Sequence, residues 1–413
     1  MNRRKVIMPV FLSILLLIVS VSITMNKDKK CSSAVQALPV STKPVGFREQ
    51  DVDEMRAVWV PFMALDMKNE DDYENRFKEK FDLIVKKSKE HNLNTLIVHV
   101  RSHGDAMYNS KYYPWSHLIT GKQGRTPSFD PLKYMVEETH KNGMYFHAWI
   151  NPLRVQVNDT PEELSENNPY VKWRNDGNES TNRFVLDCGQ DKYYNPAYPE
   201  VRKLIINGVK EIVANYDVDG IHFDDYFYPT ESLDYDKECY EEYLKSAGNG
   251  ETALSQSQWR MANIDALISG VYSGIKSVKG NVVFGISPQG NMDNNQKISA
   301  NPKSWGSMPG YVDYLCPQIY FNFENEVLPF DKTVDQWRKM VTCKGVKLYI
   351  GIGAYKAGSD VDDGSWLQSN DILKREIEYT RKAKSDGFAL YSWDYLDNPQ
   401  TEQEVANVMK ILD

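Results

Sequence analysis

The stretch VDGIHFDDYFYP, Val218–Pro229, decides how this chain is read. It joins a short apolar run to two carboxylates, Asp224 and Asp225, which open into a cluster of aromatic rings. Side chains along a strand alternate between faces, so Ile221 and Phe223 point one way while His222, Asp224 and Tyr226 point the other. One face is apolar and the other carries chemistry. A strand with polar side chains gathered at its C-terminal end and an aromatic loop after it matches the place where a (β/α)8 barrel keeps its active site. The plainer reading is an aspartate pair that caps a turn or a helix start.

Working outward, the flanking sequence favours the barrel. Upstream, strands are predicted at 56–61, 94–101 and 144–152. Between them fall a helix at 73–91, with Phe77, Phe81, Ile84 and Val85 on one face, and a helix capped by Asp130 with Pro131 in its first turn. A helix at 199–216 leads into the opening stretch as the fourth strand. Downstream, strands at 281–288, 312–320, 347–353 and 387–393 alternate with helices at 257–278, 333–342 and 371–385, and a last helix covers 401–412. Eight strands alternating with helices imply an α/β class with a parallel sheet, closed as a (β/α)8 TIM barrel. Long loops follow strands two and three, at 102–129 and 153–198, the second holding an extra strand at 183–187. A doubly wound open sheet is the structural rival. It usually carries a glycine-rich phosphate loop after its first strand, and Trp59-Val60-Pro61-Phe62 is nothing like one.

Composition narrows the partners. The 413 residues carry a net charge of −8 and show no basic face, which argues against nucleic acid. Arg3, Arg4 and Lys5 precede an uncharged, largely apolar run at 6–25, so 1–30 is expected to be a signal peptide or membrane anchor, 31–52 a linker, and 53–413 the catalytic domain. The domain is then extracytoplasmic, secreted or anchored to the outer face of the membrane, and touches the membrane only through that N-terminal segment. Cys188, Cys239, Cys316 and Cys343 are scattered without a C-x-x-C pair, and no H-x-H or H-E-x-x-H spacing occurs, so neither a metal nor a cofactor is expected.

If the barrel closes, the residues that end its strands meet at one mouth. These are Arg101, His103 and Asp105 from strand two, and His147, Trp149, Asn151 and Arg154 from strand three. Strand four gives His222, Asp224, Asp225 and Tyr226. Ser287, Gln289 and Asn291 come from strand five, Gln318, Tyr320 and Asn322 from strand six, Tyr355 from strand seven and Trp393 with Asp394 from strand eight. Rings, amides and few carboxylates suit sugars, whose apolar faces stack on Trp and Tyr while their hydroxyl rims need polar partners. Asp224 is the candidate for glycosidic chemistry. The second group is open among Asp225, Asp105, Asp187, Asp293, Glu324 and Asp394.

From about Glu54 onward the chain resembles the family 10 glycosyl-hydrolase-like proteins of bacterial envelopes. The resemblance rests on Met55-Arg56-Ala57-Val58-Trp59-Val60, the strand from Asn94 to Arg101, Phe129-Asp130-Pro131-Leu132, His147-Ala148-Trp149-Ile150-Asn151-Pro152, the opening stretch, Ile286-Ser287-Pro288 and Pro317-Gln318-Ile319-Tyr320. It implies a barrel glycosidase outside the cytoplasmic membrane, similar to proteins that act on peptidoglycan glycan strands, notably ones stripped of stem peptides. The opening stretch is also similar to the D-G-x-D-x-D-x-E signature of chitinase-type barrels at Asp219, Gly220 and Asp224. It departs at His222, which replaces an aspartate, and at Tyr226, which replaces the acid glutamate. The leading expectation is therefore a hydrolase of an amino-sugar polysaccharide. The alternative is a catalytically inactive barrel that binds envelope glycan as a scaffold.

Overall fold

The computed structural model describes residues 53–247 and 253–412; the expected leader and linker lie outside the described residues. Among the described residues twelve strands form in chain order: β1 (Met55–Val60), β2 (Thr95–Arg101), β3 (Tyr145–Ile150), β4 (Arg154–Gln156), β5 (Val185–Cys188), β6 (Asp191–Tyr194), β7 (Gly220–Phe223), β8 (Val283–Ile286), β9 (Tyr314–Leu315), β10 (Gln318–Ile319), β11 (Lys347–Ile352) and β12 (Gly387–Leu390). All but β4 to β6 belong to one parallel sheet, and it closes: β12 pairs with β1, and β11 pairs with β9 and β10. The expected (β/α)8 barrel is present. Its sixth stave is split into β9 and β10 by Cys316-Pro317, because a proline has no N–H for the ladder.

The outer helices form where apolar spacing and caps direct them. In the helix Tyr73–Glu90 the residues Phe77, Phe81, Ile84 and Val85 are buried. Pro131–Lys141 starts where the Asp130 side chain accepts from the Lys133 N–H at 3.0 Å, and Gln256–Val278 starts with a capping box between Ser255 and Gln258. A helix at Lys237–Ala247 was not anticipated. The insertion after β3 holds three antiparallel strands in the order β4-β6-β5, where the sequence foretold one.

Two cores result from the strand alternation. Outward residues such as Val58, Leu96, Phe146, Ile221, Phe223 and Phe284 pack on the helices, whereas Met55, Ala57, Trp59, Ile97, Trp149, Tyr314 and Tyr349 fill the lumen. Glycines on the staves make room for those rings. A Cβ on Gly285 would lie 2.0 Å from the Tyr314 ring, and one on Gly220 would lie 2.7 Å from the His147 ring. The lumen is a packed core, and only its C-terminal end opens.

Candidate active site

Asp224 follows β7 directly and turns into the barrel mouth at 2% exposure. β3 supplies most of its partners. Trp149 Nε1 donates to Asp224 Oδ2 at 3.0 Å, and Asn151 Nδ2 donates to both carboxylate oxygens at 3.2 and 3.3 Å. The Tyr226 N–H adds a bond to Oδ1 at 3.3 Å. Asp225, partly exposed, accepts from Gln318 Nε2 at 2.8 Å. Burial, and then the neighbouring Asp225 charge, push the Asp224 carboxyl up to about 7, against the opposing pull of Arg154 and the Trp149 bond. Burial also raises Asp225, while Gln318 and Gln289 hold it down. Asp224 therefore keeps a proton towards neutral pH with a second carboxyl beside it.

The two aspartates form the floor of an open cleft of about 370 Å3. Trp59, Phe62, Tyr226, Tyr320, Tyr355 and Tyr391 line it with rings, and Arg154 is its one cation among the described residues. The Arg154 guanidinium lies 4.3 Å over the Tyr226 ring, and Tyr226 is 54% exposed. Tyr320, Tyr355 and Tyr391 pack on one another with centroids 5.8–6.0 Å apart. Apolar faces with a few fixed polar groups can hold sugar rings across a protonated acid.

Of the residues that sequence placed at the mouth, Trp149, Arg154, Asp224, Asp225, Tyr226, Ser287, Gln318, Tyr320 and Tyr355 line this cleft. Others stand one layer away. Asn151 is fully buried and holds Asp224; Gln289 reaches Asp225 from the edge. His147 and His222 lie two residues before Trp149 and Asp224 on their strands and so sit deeper. Their Nδ1 atoms share the Tyr314 hydroxyl at 2.9 Å each, and His222 Nε2 faces Ser287 Oγ at 2.9 Å. Asn291 caps a short helix, accepting from Asp293 N at 3.0 Å.

Three positions go elsewhere. The β2–β3 ladder shifts register between His99 and Arg101, and this irregularity turns Arg101 out of the lumen onto the Tyr113 ring, 4.5 Å away. His103 is buried beside Ser102 and the edge of Phe62, and burial pushes it down to about 3. β12 stops at Leu390, so inward alternation ends at Tyr391. Trp393 sits in the outer layer under the Lys80 ammonium, 4.6 Å from its ring. Of the other carboxylates weighed, Asp105 is held by His117 and Gln123, and Asp187 by Tyr170 and Arg174, away from the cleft.

Sequence reading missed Trp59, Phe62, Met63, His99 and Tyr391, all lining the cleft. His99 stacks on Trp149 with centroids 3.5 Å apart, and its Nε2 lies 4.0 Å from Asp224 Oδ2. Counting back two residues from Arg101, and two from Trp393, would have found His99 and Tyr391.

The family model for glycosyl hydrolase-like 10 proteins matches residues 54–368. Glycosyl hydrolase DigH of Escherichia coli is 33% identical, with 89% of each chain covered. Glycosyl hydrolase YngK of Bacillus subtilis is also 33% identical, covering 83% of this chain and 68% of that protein. Among solved structures, the catalytic domain of a β-amylase from Paenibacillus polymyxa superposes with a TM-score of 0.59 at 10% identity, covering 87% of this chain and 99% of that one. The PgaB glycoside hydrolase domain of Bordetella bronchiseptica gives 0.54 at 16% identity, covering 86% and 99%. The barrel, its acid pair and the family match agree: the chain belongs to the glycosyl hydrolase-like 10 family and is a glycoside hydrolase.

Proposed function

We propose that this hydrolase cleaves glycosidic bonds within an amino-sugar polysaccharide of the cell wall, peptidoglycan glycan strands in particular, outside the cytoplasmic membrane. One observation carries the reading: a buried carboxyl group that holds its proton towards neutral pH lies beside a second carboxyl on the floor of a ring-lined open cleft. Asp224 donates its proton to the glycosidic oxygen as the bond breaks. Trp149 Nε1 and Asn151 Nδ2 then stabilise the carboxylate left behind, since both already donate to it. Asp225, oriented by Gln318, faces the positive charge that develops on the sugar ring; water then bonds to the anomeric carbon and its proton passes to the Asp224 carboxylate, restoring the acid. Tyr226 and the Tyr320–Tyr355–Tyr391 group hold sugar faces on either side, and Arg154 binds polar substituents. The resemblance to envelope glycosidases supports the cell-wall substrate, and the basic-then-apolar N-terminus supports export.

The test uses residues 31–413 with purified peptidoglycan and with glycan strands freed of peptides, and follows new reducing ends. Release by the wild type and none by Asp224→Asn, with glycan pull-down retained, is the expected result. Undiminished release by the variant removes Asp224 from the reaction. Activity on a neutral β-glucan but on neither amino-sugar substrate overturns the substrate assignment.

A further inference from the structure

Arg101 is 2% exposed, yet no carboxylate lies within ion-pair distance of it among the described residues. Its Nη2 donates to the Pro152 carbonyl at 3.3 Å, and its buried Nη1 has no hydrogen-bond partner. One buried phenol packs against it and two more lie close enough for its charge to act on them. Tyr108 and Tyr113 come from the long loop after β2, and Tyr194 ends β6 of the insertion after β3; they are 1%, 4% and 1% exposed. All three hydroxyls also lack partners, and each ring's titration is affected by the Arg101 charge. The Tyr113 ring lies 4.5 Å from the guanidinium carbon, and the Tyr113 and Tyr194 centroids are 6.4 Å apart.

A buried guanidinium without a counter-charge is costly, and a buried hydroxyl without a partner adds to that cost. Of the nearby carboxylates Glu211 is engaged elsewhere and Asp105 in part, its Oδ1 being buried without a partner. Glu211 accepts from Ser110 Oγ at 2.6 Å and from the Lys111 N–H at 2.8 Å, and one oxygen of Asp105 takes His117 and Gln123. The phenols cannot supply the charge themselves, because burial raises the pKa of each above its ordinary value. What the cluster offers is four unused donors on neutral or positive groups. That is the chemistry of an anion site.

We propose that Arg101, Tyr108, Tyr113 and Tyr194 bind a small monovalent anion, chloride, that ties the two insertion loops to the barrel. A halide fits better than sulfate or a carboxylate, since the donors are few, aromatic and sealed from solvent, and a weakly hydrated ion gives up its water most cheaply. The site is also linked to the catalytic centre: the Arg101 carbonyl accepts from the N–H of Asn151, whose side chain holds Asp224.

The experiment follows thermal unfolding of the full-length chain in chloride and in gluconate at equal ionic strength and pH, together with anomalous diffraction from crystals grown in bromide. Chloride is expected to raise the midpoint by on the order of 3 °C, with saturation. One bromide peak should lie among the four side chains. Tyr113→Phe and Tyr194→Phe should each weaken the chloride response at least tenfold in half-saturating concentration. If those hydroxyls hold no anion, removing an unpaired buried O–H leaves stability unchanged or higher in both salts. Equal midpoints in the two salts, with no bromide peak at this position, overturn the proposal. None of these readouts depends on the glycan assignment, so either can fail alone.

Discussion

Replacing Asp224 with Asn tests the electrostatics of the site through stability as well as through activity. The carboxyl lies at 2% exposure with its pKa pushed from the ordinary 3.8 to about 7, first by burial and then by Asp225. The folded protein thus holds this proton more tightly than the unfolded chain does. The stabilisation is fully present below pH 4 and is lost as pH rises through 7. At about 1.4 kcal/mol per pH unit, the full span is worth about 4 kcal/mol, of which more than half falls between pH 5 and pH 8. Asn cannot ionise, so it removes that dependence. It also turns one acceptor into a donor facing Trp149 Nε1 or Asn151 Nδ2, a cost of about 1–3 kcal/mol that does not vary with pH. Urea unfolding of wild type and variant at pH 5, 6, 7 and 8 should show the variant gaining on the wild type by about 3 kcal/mol across the series. A difference that stays flat within about 1 kcal/mol would refute the assignment of a raised proton affinity to Asp224, whatever the activity does.

Four further outcomes follow from the same geometry. Asp225→Asn removes the like charge that raises Asp224, so the alkaline limb of kcat/KM should move to lower pH; an unmoved limb contradicts the coupling. Trp149→Phe removes the donor to Asp224 Oδ2, so that limb should move to higher pH while kcat falls about tenfold or more, read from the pH–rate profile. Gly285→Ala puts a methyl group 2.0 Å from the Tyr314 ring and should destabilise by about 1–3 kcal/mol, seen as a lower urea midpoint at every pH. Asp236→Asn leaves Arg260, 2% exposed, without the carboxylate that now accepts from its Nε at 2.9 and 3.0 Å, and should cost about 3–5 kcal/mol in the same assay.

The alternation of apolar runs with amphipathic stretches settled the eight-stave barrel, because period-two and period-3.6 patterns are local and survive in the linear chain. The same period of two separated Ile221 and Phe223, which face the helices, from His222 and Asp224, which face the lumen. Depth was not legible. His147 and Trp149 share a face of β3, yet only Trp149 reaches the cleft; the other is fixed under Tyr314, whose partnership with His147 and His222 spans 167 and 92 residues. Where a strand stops was hidden as well. The register shift after His99 carried Arg101 away from the mouth, and the end of β12 at Leu390 gave the cleft Tyr391 in place of Trp393. Above all, the elevated proton affinity of Asp224 arises from desolvation and from charges on other strands, and both fall off with distance in space, which chain closure alone decides.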